Sequence, residues 1–194
     1  MAYITNTAFE PRITNNRCED LVNITGRYQE DSADAVCSAG MLCVRVSQLP
    51  NEGYTGVYNE NAWIMNAAAD SVTANDVIYA SNTYEWPMVS GNNGNVWAVG
   101  YSTLGLPIPE GRDGTFTRID FNGENVYRFG VGNLSAALGS NTYFTIANGL
   151  LTPAASAPTA NGAIYFELRG TGNFTEGTRN SFGYVDVVAK TVVA

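Results

Sequence analysis

Ala163-Ile-Tyr-Phe-Glu-Leu-Arg169 alternates without a break: Ile164, Phe166 and Leu168 point one way, Tyr165, Glu167 and Arg169 the other. A repeat of two is that of a pleated strand with one face buried and one in water. Met41-Leu-Cys-Val-Arg-Val46 has the same repeat, with Leu42, Val44 and Val46 alternating with Cys43, Arg45 and Ser47. Outward from these two, residues 62–68, 77–81, 96–101, 115–121, 124–129, 142–147 and 184–192 read as further strands. The turns between them agree. Asn122-Gly123 is a two-residue hairpin signal that predicts pairing of 115–121 with 124–129, because Asn and Gly take the positive φ of a type I′ turn. Gly91-Asn-Asn-Gly94 and Asn148-Gly149 predict two more turns, and Pro153 confines the strand after the latter to a sheet edge or a short stub. Residues 104–109, with Pro107 and Pro109, read as an ordered loop, and residues 154–161 as a surface crossing. The expected fold is mainly β, an antiparallel barrel or sandwich of about nine short strands. No repeat of solenoid or propeller length competes with it.

The first forty residues differ. In residues 1–18 the apolar groups Tyr3, Ile4, Phe9 and Ile13 are single and spaced, with Pro11, Arg12 and Arg17 among them. This predicts an extended N-terminal arm. Residues 19–39 contain the acidic run Gln29-Glu-Asp-Ser-Ala-Asp34 and an expected short helical turn over 34–38. The predicted division is thus an arm and irregular segment over 1–40 and a β-rich domain over 41–194.

The 194 residues suffice for one domain with a sizeable core. Only 14% are charged, against roughly a quarter in an average domain. Asn, Thr and Gly carry the polarity instead. The balance is acidic, 18 Asp+Glu against 10 Lys+Arg, with a single lysine, Lys190. Phosphate recognition needs clustered cations, so neither nucleic acid nor an anionic membrane surface is an expected partner. No apolar run reaches the roughly 20 residues of a spanning helix, and the start of the chain shows no signal-peptide pattern, so cytoplasmic synthesis is expected. Cys18, Cys37 and Cys43, odd in number and without CxxC spacing, read as free thiols.

Histidine is absent, which removes Ser-His-Asp and Cys-His catalysis and the usual zinc hydrolase sites. No Walker loop or dinucleotide fingerprint is present. Eighteen acidic residues allow carboxylate pairs of the glycosidase kind; the candidates near aromatics, Glu60 near Trp63 and Glu85 near Trp86, read as exposed or locally bonded groups. Residues 29–34 lack EF-hand spacing. The expectation is a protein that is not an enzyme and uses no cofactor or metal. Tyr54, Tyr58 and Trp63, with Tyr84 and Trp86, have the residue types of a sugar-binding surface, which equally suit a β core or a subunit interface. A low-charge chain rich in Tyr, Asn and Thr makes large contacts at small desolvation cost, and an arm can lie along a neighbour by strand addition. Tyr3, Phe9, Arg12 and Arg17 are the candidate partner-interface residues, since aromatic and Arg side chains dominate interface energetics.

Three stretches carry a likeness of layout: residues 17–50 (RCEDLVNITGRYQEDSADAVCSAGMLCVRVSQLP), 58–69 (YNENAWIMNAAA) and 141–177 (NTYFTIANGLLTPAASAPTANGAIYFELRGTGNFTEG). In these the chain resembles the auxiliary, decoration or cement proteins of tailed bacteriophages. The resemblance implies a virion structural protein on the outer surface of a phage head, bound to the major capsid protein. It also implies a homo-oligomer, a trimer being favoured, that reaches the shell through residues 1–18. The alternative reading is a carbohydrate- or cell-surface-binding β module of a head fibre or tail.

Overall fold

A computed structural model describes residues 6–12, 22–50, 58–83, 89–90, 96–97, 107–176 and 180–193. Within them the chain runs β1 (Phe9–Arg12), β2 (Asn23–Glu30), β3 (Ala33–Asp34), β4 (Leu42–Pro50), β5 (Tyr58–Ala67), β6 (Ile78–Thr83) and β7 (Val89–Ser90). It continues with β8 (Val96–Trp97), β9 (Asp113–Arg118), β10 (Asn122–Gly130), β11 (Tyr143–Ala147), β12 (Leu150–Ala154), β13 (Ile164–Glu176) and β14 (Asn180–Thr191). Among the described residues a 3-10 turn, Val131–Asn133, follows β10.

Five strands close into a barrel in the order β2-β5-β4-β6-β9, and β9 returns to pair with β2. All its pairings are antiparallel except β2 with β5, which runs parallel from Thr25 opposite Ala62 to Tyr28 opposite Met65. Tyr28, Cys37, Met41, Cys43, Met65, Tyr79, Ile108 and Phe116 form its core cluster. Two glycines make room for them. Gly26 and Gly114 face each other across β2 and β9. A Cβ on Gly26 would lie 2.5 Å from Met65 Cγ, and one on Gly114 would lie 2.4 Å from Ile108 Cδ1. Ile108 is held there by a two-way backbone bridge to Cys37, with N···O distances of 3.0 and 2.8 Å.

The second layer is an antiparallel sheet in the order β1-β10-β14-β13-β11-β12. Its inner face supplies Phe9, Tyr127, Phe129, Phe144, Ile146, Phe166, Val185 and Val187, which pack against Leu42, Ile78 and Ala80 from the barrel wall. β4 and β6 are therefore buried on both faces where the layers meet: Leu42 and Ile78 turn to the sheet, Cys43 and Tyr79 to the barrel. The pattern over Leu42, Val44 and Val46 holds only in part. A bulge between Arg45 and Ser47 in the pairing with β5 leaves Val46 57% exposed. In β13 the alternation holds as expected, with Ile164 and Phe166 buried and Leu168 packed on the same core.

The mainly β barrel-and-sheet class is the expected one; several local expectations need correction. Residues 115–121 and 124–129 do not form a hairpin. β9 has both edges taken by β2 and β6, so the chain leaves the barrel at Ile119 and β10 pairs with β14 and β1 instead. Gly123 does take the positive φ its sequence signals, +78°, and Asp120 N donates to Tyr127 Oη at 2.9 Å across the crossing. No helical turn forms over 34–38. Asp31 and Ser32, with φ of 50° and 67°, turn β2 back into β3. Asn148 and Gly149, at 50° and 74°, join β11 to β12, and Pro153 lies on that edge strand. β7 and β8 pair around residues 91–95, which lie outside the described residues, as do 98–101 of the strand expected over 96–101.

The division at residue 40 is not the one the strands follow. β2 is a barrel stave paired with β5 and β9. β1 is the edge of the open sheet, with Phe9 opposite Phe129 and Arg12 opposite Val126. Asn133, itself buried, accepts from Ala8 N at 3.1 Å and donates to Ala39 O at 2.7 Å, tying residues 8 and 39 to the 3-10 turn.

Candidate interaction face

The outer face of the open sheet is built by register. Glu10 on β1, Arg128 on β10 and Asp186 on β14 stand opposite one another across three neighbouring strands. Arg128 donates to both oxygens of Asp186, Nε at 2.7 Å and Nη2 at 2.8 Å, and its Nη1 lies 3.5 Å from Glu10 Oε2. Its guanidinium sits 3.6 Å above the Tyr184 ring. A bidentate fork stacked on an aromatic uses what is specific to arginine over lysine. The hydrogen bond to Asp186, ahead of the cost of burial, holds the Arg128 pKa above its usual range.

A second ladder crosses β14 and β13. Lys190 donates to Glu167 Oε2, and Arg169 Nη1 lies 3.7 Å from Glu167 Oε1. The Lys190 hydrogen bond is the main cause that holds the Glu167 carboxyl below the usual carboxylate range. Val188, opposite Glu167 on the same face, is 2% exposed. Tyr165 stands opposite Lys190, and its ring centroid is 6.1 Å from that of Tyr143 on β11. Arg128, Lys190 and Arg169 are thus paired with Glu10, Asp186 and Glu167 on this face, in a chain of net charge −8.

Of the residues singled out by sequence, Phe9 is 0% exposed, its ring 5.1 Å from Phe129 and 6.2 Å from Tyr127. It is an internal core residue and not an anchor for a partner, because β1 is hydrogen-bonded to β10 and turns Phe9 inward. Arg12 contributes backbone to β1, but its side chain lies outside the described ones, and Tyr3 and Arg17 lie outside the described residues altogether. Of the aromatics proposed for sugar, Trp63 is described. It is half-buried against the barrel core, with the Arg45 guanidinium 4.5 Å from its ring. Asp34 accepts from Gln29 Nε2 at 2.9 Å and lies 3.9 Å from Arg27. Inside the barrel, burial raises the pKa of the Tyr28 hydroxyl and of the Cys43 thiol, so both stay neutral.

What sequence reasoning missed is the ladder itself. Glu167 and Arg169 are visible as one side of an alternating strand, whereas Arg128 and Asp186 are 58 residues apart and meet only through the pairing of β10 with β14. No protein-family model, curated protein or solved structure matches the chain.

Proposed function

We propose that this chain is a virion structural protein, a decoration (cement) protein that binds the outer surface of a phage head and stabilises it through contacts with the major capsid protein and with its own copies. The single observation that supports the reading best is the outer face of the open sheet, where Glu10, Arg128 and Asp186 on one side and Glu167, Arg169 and Lys190 on the other are paired with one another and tyrosines lie among the pairs. Docking such a face strips water from few uncompensated ions, and tyrosine adds rigid contact area at low entropic cost.

The test is addition of purified protein to heads that lack it, followed by co-sedimentation and heating of the heads. Saturable binding at fixed stoichiometry and heads that survive higher temperature are expected. A Tyr143→Ala/Tyr165→Ala variant, altered at two half-buried positions of the face, should lose occupancy by about tenfold, the scale of a moderate interface anchor. Heads that stay bare in the presence of excess wild-type protein overturn the reading.

A further inference from the structure

Of the five large apolar side chains exposed among the described residues, three lie at one end of the barrel: Val22, Val46 and Val77. Val22 directly precedes β2, and its carbonyl accepts from Arg118 N at 2.8 Å at the close of β9. Val77 directly precedes β6, and Val46 lies on β4 past the last residue that pairs with β6. A single exposed valine is ordinary on a protein surface, whereas a group gathered at one end is a candidate contact.

Charged groups stand among these valines. The register of β4 with β6 sets Cys43 opposite Tyr79 and Val44 opposite Ile78, so the next positions along are Arg45 beside Val77 and Val46 beside Asp76. All four are exposed, Val46 by 57% and Val77 by 42%. The bulge between Arg45 and Ser47 is what brings Val46 out, since a bulge re-aims the side chain it carries. Both charges are held in place within the single chain. The Arg45 guanidinium lies 4.5 Å from the centroid of the Trp63 ring and 5.7 Å from that of Tyr79. Asp76 Oδ2 accepts from Thr73 N at 2.8 Å and from Thr73 Oγ1 at 3.2 Å, which holds the carboxylate by one oxygen. Side chains fixed before contact lose little conformational freedom when they meet a partner.

We infer that this end of the barrel packs against the same end of a second copy of the chain about a two-fold axis. The occupant follows from the patch, which is complementary to itself. An axis running past Val46 and Val77 sets each valine against its own counterpart, and Arg45 of each copy against Asp76 of the other. Copies of net charge −8 repel one another, so they approach best where a cation and a carboxylate stand side by side and each meets its opposite. An arginine backed by a tryptophan is also the composition of an interface anchor. The inference rests on the self-association in the proposed function and not on the shell. It assigns that contact to the barrel, leaves the outer face of the open sheet to the shell, and gives the pairing a two-fold geometry where the resemblance implied a trimer.

Sedimentation equilibrium of the full chain over a concentration series tests it, with Arg45→Glu and Asp76→Lys as variants at exposed positions. The wild type is expected to dimerise with rising concentration. Each variant alone sets like charges together twice, and should dimerise weaker by about tenfold or more while keeping the wild-type circular dichroism. An equimolar mixture of the two should recover pairing, because Glu meets Lys at one contact and Arg meets Asp at the other. Val46→Ser, which alters no charge, should also weaken the dimer. A wild type that stays monomeric overturns the inference, as do variants that dimerise as well as wild type or a mixture no stronger than its parts. Head binding reads the other proposal separately. A chain that pairs through Arg45 and Asp76 yet leaves heads bare sinks only the shell reading, and a monomer that coats them sinks only this one.

Discussion

Lys190, the one lysine of the chain, stands on β14 opposite Tyr165 and donates to Glu167, whose carboxyl is thereby held below the usual range, with Arg169 adding to the effect and burial opposing it. A carboxylate whose pKa is lower in the folded state contributes stability above its unfolded pKa and loses it as the pH falls through the folded value. The contribution of this pair is present in full at neutral pH and is lost progressively as the pH falls from the usual carboxylate range through the lower folded value. Lys190→Met keeps an apolar stem beside Gly123 and removes the charge. It should lower stability at pH 7 by about 0.2–1 kcal/mol, the range of partly exposed pairs, and the difference from wild type should vanish on acidification. Urea unfolding of both proteins at pH 7 and pH 3 checks this. A deficit that persists unchanged at pH 3 would mean that the loss is one of packing and not of charge. At this scale the sequence was partly legible. The alternation over 163–169 placed Glu167 and Arg169 on the outer side correctly, but nothing local marks Lys190 as their partner, because it arrives across the β13–β14 hairpin.

The misreadings at the scale of elements share one cause. β2 escaped notice because its inward positions include Gly26, where Met65 and Phe116 from other strands fill the space that a Cβ would need. A strand that leaves its share of the core to neighbours has no hydrophobic period of two to read. The Asn122-Gly123 signal was right about backbone and wrong about pairing, because pairing depends on which edges remain vacant once the barrel has closed. β1 is short, and its one large apolar residue, Phe9, looked solitary until β10 brought Tyr127 and Phe129 beside it. Phe9→Ala removes a ring with no exposed surface and should destabilise the chain by about 3–5 kcal/mol, measured by thermal or urea unfolding. A change below 1 kcal/mol would return Phe9 to the role of a detached arm residue. The same reasoning alters what deletion of residues 2–18 should do: it strips Phe9 from the core and leaves β10 as a bare sheet edge, so loss of attachment and loss of stability would arrive together.

For the whole molecule, the question is whether barrel and sheet behave as one unit. Leu42, Ile78 and Ala80 belong to barrel strands, yet they complete the core under Phe129, Phe144 and Phe166 of the sheet. Unfolding the barrel therefore exposes the underside of the sheet, and burial of large apolar side chains at roughly 1.5–3 kcal/mol each makes a half-unfolded molecule costly. Asn133 couples the layers again, joining Ala8 beside β1 to Ala39 ahead of β4. Such sharing favours a single cooperative transition. Gly26→Ala forces a methyl group against Met65 Cγ and Phe116 inside the barrel, far in register from the open sheet, and should cost about 1–3 kcal/mol by overpacking. If the layers are one unit, this substitution lowers the denaturant midpoint of β14 as much as that of β2, although β14 makes no strand pairing with the barrel. Hydrogen exchange followed by mass spectrometry through the urea transition reads peptides from β2 and β14 in the same sample. Coincident loss of protection in wild type and in Gly26→Ala is the expected result. Early loss in β2, with β14 still protected, would show that the open sheet stands without the barrel and that the contacts of Leu42, Ile78 and Ala80 hold the layers together only weakly.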